Sequence, residues 1–144
     1  MVVIKRPSDG ALLVSQDVNP SGELFQRPLG GHVEFGEYSE DTVYRELVEE
    51  IGQRLTGVDL LGVLENLFEW AGELQHEIVF VYEARFADPA AYDVAEQGIL
   101  DHPDRSTRVI WRPADAASPP LYPDGVAELA ELAGDPDAAA ERDG

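Results

Sequence analysis

Three glutamates, Glu46, Glu49 and Glu50, stand at positions i, i+3 and i+4 of one segment. On a helix that spacing puts all three carboxylates on one face. They fall in the last turn before Gly52, where the helix dipole is already negative. Folding alone does not ask for this arrangement. Like charges at such spacing repel, and acids at the carboxyl end of a helix are unfavourable. A local rule broken this plainly tends to mark a functional site. A divalent cation would turn the repulsion into coordination, and hard cations take oxygen ligands rather than His or Cys.

A helix must carry that face. Ser39 is a suitable N-cap, with Glu40 and Asp41 in the first turn where negative charge is favoured. Val43, Leu47 and Ile51 then recur every four residues as an apolar stripe. Gly52 stands where a left-handed residue ends a helix. The pattern predicts a helix over 40–51, with its apolar and carboxylate stripes on different faces.

Strands surround this helix. Residues 2–5 and 11–16 read as a hairpin around Ser8-Asp9-Gly10. Residues 17–22 form a loop, and 24–27 an extended piece that delivers Pro28-Leu29-Gly30-Gly31. Residues 32–35 read as a further short strand. Residues 58–68 and 74–86 read as two strands joined around Ala71-Gly72. Within the second, Ile78 to Tyr82 is nearly continuously apolar, as in a strand covered on both faces. Residues 87–106 form a long acidic connection, a length that is unusual inside a domain and often functional. A strand at 108–111 follows, then a last helix capped by Asp124 with Val126, Leu129 and Leu132 inward, ended by Gly134 and Pro136. One domain over 1–134 and a frayed polar tail over 135–144 are expected.

Composition narrows the function. The 144 residues suffice for one domain with a core, and 44% are hydrophobic. The net charge is −19, and Lys5 is the only lysine. A field of that sign repels nucleic-acid backbones, so non-specific DNA or RNA binding is not expected. A nucleotide site on such a surface needs cations and local arginines. There is no cysteine, hence no disulfide framework and no Cys-based zinc site. That fits a reducing compartment, and a cytoplasmic location is expected. No segment reads as a signal peptide or a membrane span.

The segment 31–53 resembles the box of the Nudix hydrolase family. The matching residues are Gly31, Glu37, Arg45, Glu46, Leu47, Glu49, Glu50 and Gly52. Gln53 departs from the pattern, standing where an aliphatic residue is usual. The resemblance implies an α/β fold, a Nudix-type α/β/α sandwich with a mixed β-sheet between helices. It implies a magnesium or manganese cofactor and hydrolysis of a pyrophosphate linkage in a nucleoside diphosphate derivative. Physical chemistry agrees: the linkage carries crowded negative oxygens that repel water until cations neutralise them.

Carried over by position, the resemblance makes Glu49 and Glu50 metal ligands and Glu46 a ligand or the general base. Glu37 would reach the metal from the preceding loop, directly or through water. Gly30 would offer its carbonyl to the ion, and Gly31 would let backbone approach closely. Arg45 would orient the glutamates by ion pairing, with Glu49 at i+4. A further acid from a late loop is common in the family; Glu96, Asp101 and Asp104 are candidates here, Glu96 the best placed. Trp70, beside the position where an aromatic or proline marks certain subfamilies, either stacks on a base or is a structural aromatic at a hairpin end. Arg27 either faces the phosphates or lies on the surface. Phe25, Phe68, Tyr82 and Trp111 read as core, and His32 as structural; His76 and His102 have no motif support. The expected partner is a small nucleotide: a nucleoside triphosphate, nucleotide sugar, ADP-ribose or dinucleoside polyphosphate. The family is often dimeric, and the apolar strand surface allows a homodimer. The alternative is a Nudix-fold sensor that binds a nucleotide without turnover, but such proteins usually lose box glutamates and this chain keeps all three.

Overall fold

The computed structural model describes residues 1–100, 107–114 and 117–134. Its elements, in chain order, are β1 (Val2–Val3), β2 (Leu12–Val18), β3 (Leu24–Pro28), α1 (Ser39–Ile51), β4 (Leu55–Trp70), β5 (Glu73–Phe86), a 3-10 turn (Pro89–Asp93), β6 (Glu96–Gln97), β7 (Arg108–Arg112) and α2 (Val126–Leu132). They form two sheets. One is mixed, with order β1-β5-β4, β1 running parallel and β4 antiparallel to β5. The other is antiparallel, with order β3-β2-β7-β6.

Alternation along the inner strands builds two cores. Val2, Ile4 and Leu13 pack on the α1 side with Val43, Leu47, Ile51, Tyr82, Phe86 and Trp111. Their neighbours Val3, Leu12 and Val14 pack on the α2 side with Leu61, Val81, Val126 and Ala130. Each fully buried aliphatic side chain contributes about 1.5–3 kcal/mol of transfer free energy. Helices on opposite faces of the sheets give the α/β/α layering that the sequence implies. Lys5 sends its Nζ to the Ala133 carbonyl (3.3 Å), so it holds the carboxyl end of α2.

Several elements differ from the sequence reading. The segment 2–5 does not make a regular hairpin with 11–16. The turn exists, closed by Gly10 N–H to Arg6 O (2.8 Å), but only Lys5 and Leu12 bridge across it. Val2 and Val3 pair instead with Tyr82 and Glu83, where the apolar middle of β5 offers a buried edge. Residues 32–35 are exposed loop rather than strand, because the Glu37 carboxylate and the Glu34 carbonyl take up local N–H groups in a turn. Ser39 is not the N-cap. Tyr38 occupies that position without a side-chain cap, and the Ser39 and Tyr82 hydroxyls share a hydrogen bond of 2.6 Å. The N-cap of α2 is Gly125, not Asp124. The connection after β5 carries a 3-10 turn and β6 rather than continuous loop. The expected tail, 135–144, lies outside the described residues.

The strand 78–82 is also not covered throughout. Val81 and Tyr82 are buried, whereas Ile78 and Phe80 are exposed. The β4–β5 hairpin pairs from Leu55–Phe86 to Trp70–Glu73, and its far half extends past the helices that cover the near half.

The Asp9 turn yields a pH prediction. Arg6 donates to both Asp9 oxygens (2.9 and 2.6 Å) and Ala11 N–H adds a third bond. The Arg6 hydrogen bond, then that of Ala11, lowers the Asp9 carboxyl from 3.8 to about 2. The folded state therefore holds fewer protons at this site than the unfolded chain in that window. The stabilisation is complete above the ordinary value and fades as pH falls toward 2. Urea midpoints measured between pH 4 and 2 are expected to fall less steeply for Asp9→Asn than for the parent, by a small margin because the pair is exposed.

Candidate active site

The helix that carries the carboxylates ends as its sequence requires. Gly52 adopts φ 69°, and its N–H returns to the Val48 carbonyl (3.0 Å) while Gln53 N–H returns to Leu47 (3.3 Å). Leu47 and Ile51 anchor α1 to the sheet, so Glu46, Glu49 and Glu50 are carried on the remaining faces. Gly30 and Gly31 follow β3 directly and pass beside them. A Cβ on Gly31 would stand 2.3 Å from the Glu46 carboxyl carbon; the missing side chain leaves the place where that carboxylate rests. Gly30 lies so close to Met1 that its own Cβ would meet the Met1 Cα at 2.6 Å.

Arg45 gathers the acids. Its Nε and Nη2 donate to the two Glu37 oxygens (2.8 and 2.9 Å). Its Nη1 donates to Glu46 (2.9 Å) and Glu49 (3.1 Å), and Nη2 reaches the His32 carbonyl (3.3 Å). Glu34 lies 3.8 Å away. Thr42 adds a hydroxyl to Glu37 at 2.6 Å. Arg45 first and Thr42 second hold the Glu37 carboxyl down at about 2, and Glu37 in turn raises the Arg45 pKa. One guanidinium thus offsets the repulsion between three box acids at once. The i+4 pair to Glu49 is present as the sequence predicts, but Glu37 and Glu46 are the larger partners.

The Met1 amino group marks how the surroundings converge. It donates to the Phe80 carbonyl (3.1 Å). Burial and then Arg27 lower its pKa to about 6, opposed by Glu46, Glu50 and Glu77. Arg27 and two of the box glutamates therefore act on one spot. Arg27 also lies 3.9 Å from Glu77, which accepts from Asn66 (2.9 Å). Beyond it, Trp70 packs edge-on to Phe25 (5.7 Å between centroids), and Phe25 packs against Tyr122 (6.2 Å). Trp70 and Tyr122 remain exposed. Phe25, read as core, belongs to this aromatic group, while Tyr82 and Trp111 are buried as expected. Tyr122, Asn66 and Glu77 escaped the sequence reading. Only the β4–β5 register, which sets Asn66 opposite Glu77, could have pointed to that pair.

Glu96 is not brought to the box in the same way. Both of its oxygens accept from Arg108 (2.9 and 3.0 Å). The chain after it does return: Leu100 N–H donates to the Glu50 carbonyl (2.8 Å). Asp101, His102 and Asp104 lie outside the described residues. His76 pairs with Glu65 (3.0 Å) on the hairpin, and His32 offers only its carbonyl to Arg45.

A model of the NUDIX domain matches residues 1–133. The chain belongs to the NUDIX domain family. A candidate mutator protein, MutT4, from Mycobacterium tuberculosis is 31% identical to this NUDIX chain over 138 residues, covering 88% of the chain and 55% of the relative. The chain thus spans about half the length of that curated relative. The solution structure of the E. coli ORF135 protein is similar at 25% identity and a TM-score of 0.52, covering 89% of this chain and 81% of that one.

The NUDIX donor set suits a hard cation. Glu46, Glu49, Glu50 and the Gly30 carbonyl are all oxygen donors, and the missing side chain at Gly31 leaves room for Glu46. Among the described residues no three acidic or imidazole side chains stand close enough to hold an ion as they are. Glu46 and Glu49 are turned to Arg45. Gly31→Ala tests the close approach. The added methyl has only a side-chain end to displace, so the fold is expected to persist by circular dichroism. Shifting Glu46 should lower turnover by about 10²-fold.

Proposed function

We propose that the chain is a divalent-metal-dependent hydrolase that cleaves a pyrophosphate linkage in a nucleoside diphosphate derivative. The observation that carries this reading is the full set of box glutamates on one helix end, with Glu46 seated against Gly31. Glu49 and Glu50 hold magnesium or manganese, and Gly30 lends its carbonyl. Glu46 serves as a further ligand or as the base that takes a proton from water. Glu37 holds Arg45, and Arg45 positions Glu46 and Glu49. The bound ion supplies neutralisation of the diphosphate oxygens and activation of water.

The substrate's other end is read by Arg27 and the aromatic group beyond it. Arg27 faces the phosphates, and Trp70, with Phe25 and Tyr122 behind it, offers a face for a base to stack on. The test is phosphate release with magnesium over nucleoside triphosphates, ADP-ribose, nucleotide sugars and dinucleoside polyphosphates. Turnover of one class supports the hydrolase. Binding without turnover on every compound would favour a sensor. On the best substrate, Trp70→Ala is expected to raise KM about 10-fold with kcat little changed, the loss typical of one base-stacking contact. An unchanged KM would return Trp70 to a structural role.

A further inference from the structure

The β4–β5 hairpin turns alternate residues toward β3. Leu64, Asn66, Phe68 and Trp70 on β4 share one face with Gln75, Glu77 and Val79 on β5. β3 meets that face at two points: Phe25 packs on Trp70, and Arg27 lies 3.9 Å from Glu77. Packing accounts for the half-buried Leu64, Phe68 and Val79. It does not ask for Asn66, Gln75 and Glu77, which are half-buried in the same rows. Polar groups taken from water cost free energy unless they are bonded.

Asn66 and Glu77 stand directly opposite each other. Asn66 Nδ2 donates to Glu77 Oε1 (2.9 Å). A carboxylate only accepts, so this bond fixes which end of the amide faces it. The amide oxygen and Glu77 Oε2 are left as two acceptors, and neither has a hydrogen-bond partner among the described residues. Arg27, at 3.9 Å, attracts Glu77 without bonding it.

The pair lies between the two parts of the proposed site. Gly30 abuts Met1, whose amino group donates to the Phe80 carbonyl (3.1 Å). Glu77 stands three residues back along β5, roughly 10 Å away, and Trp70 closes the row at the hairpin end. A nucleotide with its phosphates at the α1 end and its base toward Trp70 lays its sugar across Asn66 and Glu77. A carboxylate repels phosphate, so phosphate is not the group received here. Two adjacent acceptors call for two adjacent donors, and ribose carries them as neighbouring hydroxyls.

We propose that Asn66 and Glu77 receive the 2′- and 3′-hydroxyls of the substrate sugar and make the site selective for ribonucleotides, an assignment that rests on the hydrolase reading's placement of the nucleotide. A 2′-deoxy sugar leaves one acceptor unpaired. A site built around a hydroxyl discriminates against the analogue that lacks it.

Calorimetric titration with magnesium and the α,β-methylene analogues of ADP and 2′-deoxyADP tests this without turnover. The parent is expected to bind the ribose form about 10-fold more tightly. At least one of Glu77→Ala and Asn66→Ala, whichever residue meets the 2′-hydroxyl, should bring that ratio close to one with circular dichroism unchanged. Freeing Arg27 from Glu77 would shift both sugars alike, so the ratio separates hydroxyl recognition from a merely electrostatic role. Equal affinity in the parent, as expected if the acceptors meet a base amino group instead, overturns the proposal. So does a ratio kept in both variants. Phosphate release from unmodified nucleotides is scored separately. A ribose preference without release supports the sugar assignment and sinks the hydrolase, whereas release without a preference sinks the sugar assignment alone. Binding of neither analogue sinks both.

Discussion

Replacing Glu49 or Glu50 by Gln is expected to lower turnover by at least about 10²-fold while leaving the fold intact. Each change removes one negative charge from the end of α1, where a cation must be held. Neither change harms the helix. Acids in a last turn oppose the dipole, so their loss favours α1 by about 0.3–1 kcal/mol. For Glu49 this is set against one partly exposed contact with Arg45. For Glu49→Gln activity and stability should therefore move apart: kcat falls steeply while the thermal midpoint holds or rises slightly. Full activity in either variant would remove its assignment as a ligand.

Treatment with EDTA is expected to abolish hydrolysis, and added magnesium or manganese to restore it. The thermal midpoint should shift little on chelation. Arg45 bonds Glu37, Glu46 and Glu49, so the protein itself offsets part of their repulsion. Turnover that persists unchanged in chelator would argue for a different mechanism. A large loss of thermal stability would argue that Arg45 does not carry the counter-charge alone.

The parts of this molecule that follow local rules could be read from the chain. Val43, Leu47 and Ile51 place α1 through their period, Gly52 ends it through its left-handed backbone, and Ala71-Gly72 closes the long hairpin. The box spacing singled out Glu37, Arg45, Glu46 and Glu49, and the fold joins these four through the Arg45 guanidinium. What the chain did not disclose depends on partners distant in sequence. Val2 and Val3 look like one arm of a hairpin until β5 is available to pair with them. Ser39 looks like a cap until the Tyr82 hydroxyl reaches it from 43 residues away. Ile78 and Phe80 look buried because β-strand patterns report apolarity, not whether a helix extends far enough to cover them. Arg45 was legible as a partner of Glu49, but its stronger hold on Glu37 depends on how the preceding loop folds back.

The hydrogen bond from Lys5 to Ala133 has a practical side. With no other lysine in the chain, an enzyme that modifies lysine side chains finds a single address, whereas an acylating dye also meets the Met1 amino group, whose pKa is lowered to about 6. That address is occupied while the last helix stays docked and becomes reactive when it peels away. Labelling at this one position would thus clock the undocking of the C-terminal helix without any engineered tag.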